Sequence, residues 1–173
     1  MTRTFYNILI NSLTASLTNN SVWFAVTFWA YLETQSVLAT SIMAGIYLGT
    51  VALSGFYLGS IVDRYRKKYA MLISSIVSFF LYLVAGIIYI STPQAIFKDP
   101  SSIALWAFIV LALFGAIAGN IRAIALSTIV TLLVPGDQRD KANGLVGTVN
   151  GVSFLVASIF SGLIIGFLGI FWM

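Results

Sequence analysis

The sequence predicts an all-α, multi-pass membrane protein with five transmembrane helices, on three observations. Hydrophobic residues make up 60% of the 173 positions and charged residues only 8%, against about 25% charged in soluble domains. The apolar residues fall into five runs, near 6–32, 37–62, 69–91, 102–133 and 143–171, each longer than the roughly 20 residues that cross a hydrocarbon core. The few charges gather between the runs, above all in GSIVDRYRKK, Gly59 to Lys68, where four of the nine Lys and Arg stand within five residues. A β-barrel would alternate polar and apolar over segments of about ten residues, and these runs do not.

Composition also narrows the chemistry. With no Cys and no His, the chain has no disulfide framework, no thiolate or imidazole metal site, and no Cys or His nucleophile–base pair. Paired carboxylates are absent too, so no enzyme activity, metal or cofactor is expected. The net charge of +4 reflects orientation in a bilayer rather than a nucleic-acid partner, because the cations sit in short loops. Nothing near the start reads as a cleaved signal, since Asn11, Ser12 and Thr14 interrupt the first apolar run.

The cations also orient the spans. Seven of the nine fall on the side of the first residue (Arg3, Arg64, Arg66, Lys67, Lys68, Arg139 and Lys141), Lys98 falls opposite, and Arg122 lies inside the fourth span. Short positive loops resist translocation, which predicts a cytoplasmic N-terminus and an external end to the fifth span. The chain stops just after that span with no polar tail, and we expect a partial sequence.

Span one carries two polar stripes. At about 100° per residue, Asn7, Asn11, Thr14, Thr18 and Ser21 share one line, and Ser12, Ser16, Asn19, Asn20 and Thr27 cluster on the far side. Leu13, Leu17, Ile10 and Phe24 lie between them. So many amides and hydroxyls are costly against lipid, so most of this helix should be enclosed by protein or line a wet cavity. Its aromatic residues, Trp23, Phe24, Phe28 and Trp29, suit either amphipathic cargo or interfacial anchoring. Glu33, at its outer end, is the nearest candidate for a proton-coupling carboxylate; the alternative is a solvated loop acid.

Span two has a small-residue face instead. Gly45, Gly49, Ala52 and Gly59 line up at helical spacing and lead to Asp63. G-x-x-x-G spacing lets helix backbones approach closely, either as static packing or as a contact that forms and parts. Span three, with Ser74, Ser75 and Ser78 near one end, reads as a lipid-facing strut. The Thr92–Pro100 connection reads as an ordinary external turn, with Asp99, Ser101 or Ser102 available to cap span four. In span four, Arg122 follows GAIAG and Asn120. It is either a functional intramembrane charge or a side chain that snorkels or pairs with Asp63 at the end of an over-long helix. Span five shows a small face through Gly144, Gly147, Asn150, Gly151, Ala157, Ser161 and Gly162.

Two loops carry a family resemblance. Gly59, Asp63, Arg64, Lys67 and Lys68 match the G-x-L-x-D-R-x-G-R-K-R loop between helices two and three of the major facilitator superfamily, with Ile61 for Leu and Arg66 for the second glycine. VPGDQRDKANGL resembles the loop between helices four and five in the efflux branch that includes macrolide and siderophore exporters, through Val134, Pro135, Arg139, Lys141, Ala142 and Asn143. The G-P-x-x-G-G signature of many exporters is reduced to Ala157, Ser158, Ser161 and Gly162.

The resemblance implies an incomplete N-terminal six-helix bundle of a twelve-helix transporter over residues 1–173, in a bacterial-type inner membrane. Its partners would be the lipid bilayer, a small-molecule substrate and the missing C-terminal half. Gly59 and Asp63 would meet a helix of that half, Asp63 accepting hydrogen bonds at a helix N-terminus, with Arg64, Arg66, Lys67 and Lys68 holding the loop by charge pairing. The expected activity is export of a small, amphipathic molecule by alternating access. Asn11, Thr14, Thr18, Asn19 and Asn20 would form the cavity wall, with Asn150 opposite. Ion-coupled uptake and a non-transporting membrane scaffold are the alternatives.

Overall fold

The computed structural model describes residues 2–172, and within them the chain is helical from end to end. Helix α1, Arg3–Thr34, starts where the Thr2 hydroxyl accepts the Phe5 N–H at 3.4 Å, satisfying one of the free donors of a first turn. It ends at Gln35, held in the left-handed region at φ 49°. Ser36 then caps α2, Val37–Arg64, by accepting the Ala39 N–H at 3.2 Å. The turn between them is therefore only Gln35 and Ser36. Tyr65 and Arg66 alone separate α2 from α3, Lys67–Ser91.

A short helix α4, Gln94–Phe97, precedes α5, Ile103–Leu133, and α6 spans Arg139–Leu168 after a 3-10 turn at Gly136–Gln138. Ser102 caps α5 through the Leu105 N–H at 3.4 Å, while Asp99 Oδ1 accepts both the Ser101 N–H at 2.9 Å and its hydroxyl at 2.6 Å. That pair holds the Asp99 carboxyl below the usual carboxylate range.

Helix ends depart from the sequence boundaries most in the fifth span. It begins at Arg139 rather than 143, because the residues after Pro135 coil directly into the helix and Asp140 sits in its first turn, where the helix dipole favours an anion. It ends at Leu168 rather than 171, because Gly169 turns to φ 82°, a backbone region that glycine enters without a Cβ clash. A second 3-10 turn follows at Ile170–Trp172.

Helices α2, α3 and α5 and the stretch Gly136–Leu168 are long and apolar enough to cross a membrane. The 32-residue α1 has the length but not the apolarity, because its asparagines and hydroxyls lower its hydropathy. In such a bundle those groups must be sheltered by other helices. Helix α5 is the hub and lies against α1, α2 and α3, while α6 packs along α1.

The strut reading of α3 needs correction. Its Ala70, Ser74, Ser78 and Ala85 are buried in a seam against α5. Ser74 Oγ donates to the Ala118 carbonyl at 2.6 Å and Ser78 Oγ to the Gly115 carbonyl at 2.7 Å. Only the other faces of α3 are exposed.

The connection after α3 is not a plain turn either. Phe97 of α4 is buried among Trp29, Tyr89 and Phe108, with ring centroids 5.3, 5.6 and 6.2 Å away. The edge-to-face contacts of Phe97 with Trp29 and Phe108 are a favoured aromatic geometry. This cluster closes the end of the bundle opposite the Arg64–Lys68 loop.

A candidate transport cavity

Four helices, α1, α3, α5 and α6, surround a cavity of about 480 Å³. Its wall takes Thr18, Asn19 and Asn20 from α1, Ser74, Ser75, Ser78 and Tyr82 from α3, Asn120 and Arg122 from α5, and Asn150 and Phe154 from α6. The four-residue step from Ser74 through Ser78 to Tyr82 places all three on one face of α3. The Tyr82 hydroxyl donates to Asn19 Oδ1 at 3.2 Å and so ties α3 to α1. Two glycines make this approach possible. A Cβ at Gly115 would run into the Tyr82 ring, and one at Gly119 into the Asn19 carboxamide. The G-x-x-x-G of α5 is thus used inside the bundle, as close backbone approach requires.

Among the described residues Arg122 is the one charged residue lining this cavity. Its Nη1 donates to Ser75 Oγ at 2.9 Å, its Nη2 donates to Asn11 Oδ1, and its buried Nε has no hydrogen-bond partner among the described residues. The structure gives it no pairing with Asp63; among the described residues the ion pair of Asp63 is with Lys67, at 3.8 Å. Lys67 Nζ also donates to the Val62 carbonyl at 2.6 Å, which closes the loop onto the end of α2.

The structure brings together only some of the residues singled out from the sequence. Thr18, Asn19, Asn20 and Asn150 line the cavity, and Asn11 joins it through Arg122. Thr14 does not: it is exposed and turns its hydroxyl back to the Ile10 carbonyl at 3.4 Å. Glu33, in the last turn of α1, lies outside the lining.

The α1 aromatics pack against the other helices, and Phe24 reaches Phe154 of the cavity wall. Trp23 stacks on Tyr47 at 4.0 Å, Phe24 meets Phe154 edge-on at 4.9 Å, Phe28 lies over Gly162, and Trp29 is buried. Sequence reasoning missed Ser75, Tyr82 and Asn120 as cavity residues. The 74–78–82 step in α3 was the available signal, masked by the strong apolarity of the rest of that helix.

The small-residue face of α2 is vacant. A Cβ at Gly45, Gly49 or Gly59 would have no neighbour within 4 Å. The same holds for Gly144, Gly147 and Gly151 of α6, whereas Ala157 and Ser161 are buried and Ser161 Oγ donates to the Ser21 carbonyl at 3.2 Å. Beside the basic loop, Arg64, Arg66, Lys67 and Lys68 edge a groove floored by Ile129, Leu132 and Leu133 of α5.

Long apolar helices around a cavity of mixed polar and apolar wall mark a multi-pass membrane protein. The model of the Major Facilitator Superfamily matches residues 8–173, and the chain belongs to that family of transporters. It is similar to Macrolide efflux protein A of Streptococcus pyogenes, 21% identical over 160 residues, covering 92% of this chain and 37% of that protein. The protein of the same name from a serotype M6 strain matches to the same extent. The chain thus spans little more than a third of the length of the curated relatives it matches. No solved structure gives a significant match.

Proposed function

We propose that the chain is the N-terminal part of an exporter that moves a small amphipathic molecule by alternating access, with all five long helices spanning an inner membrane and the N-terminus in the cytoplasm. The observation that carries this is the half-open cavity of about 480 Å³, whose wall combines asparagine, serine and arginine with the rings of Phe79 and Phe154. Polar groups at this depth are costly unless a solute or water uses them. Export rather than uptake is favoured by the likeness to a relative named as an efflux protein.

In this reading the chain is one half-bundle of a twelve-helix transporter, and the vacant faces of α2 and α6 meet the other half. The Gly45, Gly49 and Gly59 face is smooth enough to close against a partner helix and to part from it. Asp63 and the Arg64–Lys68 loop clasp that partner in one state. The test is energised transport by the complete protein, reconstituted in liposomes, of a panel of amphipathic dyes and antibiotics. Accumulation against a gradient is the expected result, and a protein that inserts and folds yet moves no compound of the panel refutes the reading.

A further inference from the structure

We infer that Arg122 is the anion anchor of this cavity, and that the cargo is an amphipath bearing an acidic group rather than a basic one. The inference rests on the reading of the cavity as a cargo site and adds its charge selectivity. Among the described residues the cavity wall holds one full charge, Arg122, and no carboxylate. Arg122 is tethered by two neutral acceptors, Ser75 Oγ and Asn11 Oδ1, which orient the guanidinium without neutralising it.

Its Nε–H is buried and unspent among the described residues. A half-buried cation with no counter-ion among the described residues is a favourable partner for an anion that arrives in hydrogen-bond geometry. A guanidinium offers a planar fork that suits a carboxylate or a phosphate. Asn19, Asn20 and Asn150 add neutral amides around it, and exposed Phe79 and Phe154 supply flat apolar faces for the rest of the molecule. A cationic amphipath would meet like charge in the same space and no acid to offset it.

The experiment uses the complete transporter in nonionic detergent and two dyes that share a xanthene ring but carry opposite charge, fluorescein (anionic) and rhodamine 123 (cationic). Binding is read by fluorescence anisotropy. Fluorescein should bind at least about tenfold tighter, and Arg122→Gln should weaken it by about tenfold or more, as expected for the loss of a charge-assisted hydrogen bond. Rhodamine 123 should not weaken in that variant. Ser75→Ala removes one tether but keeps the charge, and should weaken fluorescein clearly less than Arg122→Gln does.

Equal or tighter binding of rhodamine 123, binding of neither dye, or fluorescein binding unmoved by Arg122→Gln overturns the anchor. An equal loss in Ser75→Ala and Arg122→Gln assigns Arg122 a purely structural role and also overturns it. Should Arg122→Gln not fold, the dye preference of the unaltered protein together with Ser75→Ala decides. Export is scored separately: charge preference in binding without export sinks the transport reading alone, and preferential export of rhodamine 123 sinks the anchor alone.

Discussion

The hydroxyl of Ser78 donates to the carbonyl of Gly115 at 2.7 Å, across the seam between α3 and α5. One turn away Ser74 does the same to Ala118 at 2.6 Å. Interhelical hydrogen bonds of this kind contribute about 0.6 kcal/mol each in a membrane. Ser74→Ala and Ser78→Ala should therefore lower thermal stability in detergent slightly. Gly115→Ala should cost more, about 1–3 kcal/mol, because a Cβ there meets the Tyr82 ring in a packed seam. Melting temperatures of the three variants check the order.

Phe97 is buried although it belongs to a helix of only four residues. Phe97→Ala should lower stability by about 3–5 kcal/mol, the range for a deleted core ring. Phe97→Leu, which refills most of the space, should recover a large part of that loss. Thermal unfolding of the two variants is the measurement.

The vacant face of α2 separates folding from transport. Gly49 is exposed and a Cβ there has no neighbour within 4 Å among the described residues, so the stability of Gly49→Leu should not fall below that of the parent. On the proposed reading, transport by the complete protein should nevertheless fall, because a bulky side chain would hold α2 away from a second half-bundle. Asp63→Asn should insert normally and slow turnover by about tenfold, equivalent to ~1.4 kcal/mol on the limiting barrier. Transport rates beside expression levels distinguish these outcomes from misfolding.

Because these 173 residues contain no cysteine, a single thiol introduced among them has no competitor within this stretch. In intact cells a membrane-impermeant maleimide should label Lys98→Cys and leave Lys68→Cys unlabelled until the cells are opened. The reverse pattern would invert the proposed orientation.

Asp99 gives a pH signature outside the membrane. Its folded-state pKa is depressed, first by the Ser101 hydroxyl and then by the Ser101 backbone N–H. A depressed carboxylate stabilises the fold above its unfolded pKa of about 3.9 and loses that contribution as pH falls through the lower folded value. The difference in melting temperature between Asp99→Asn and the parent should be constant from pH 7 to 5 and shrink below about pH 4.

The helices were legible because long apolar runs between charged turns admit few other structures, and the two-residue turn at Gln35 and Ser36 fell where the polar residues cluster. The cavity was half legible. Asn19, Asn20 and Asn150 stood out as amides in apolar runs, whereas Ser74 and Ser78 looked like minor flaws in a lipid-facing helix, since a hydroxyl that satisfies itself on a neighbouring carbonyl leaves no trace in composition. Arg122 was visible as a charge, but its tethers were not. Asn11 lies 111 positions away in the chain, and only the crossing of α1 and α5 brings the two together. Thr14 misled because helical periodicity reports a face and cannot say whether the hydroxyl turns back onto its own backbone.

Helix α2 buries only Met43 and Val62 against its siblings, one residue near each end, and it joins α1 through a pivot of two residues. A rod pinned so lightly can swing as a lever while the α1–α3–α5 block stays rigid, so the first amides to exchange with heavy water in the spanning region should be those along its middle. The moving part of this bundle would then be the helix with the least to lose by leaving its place.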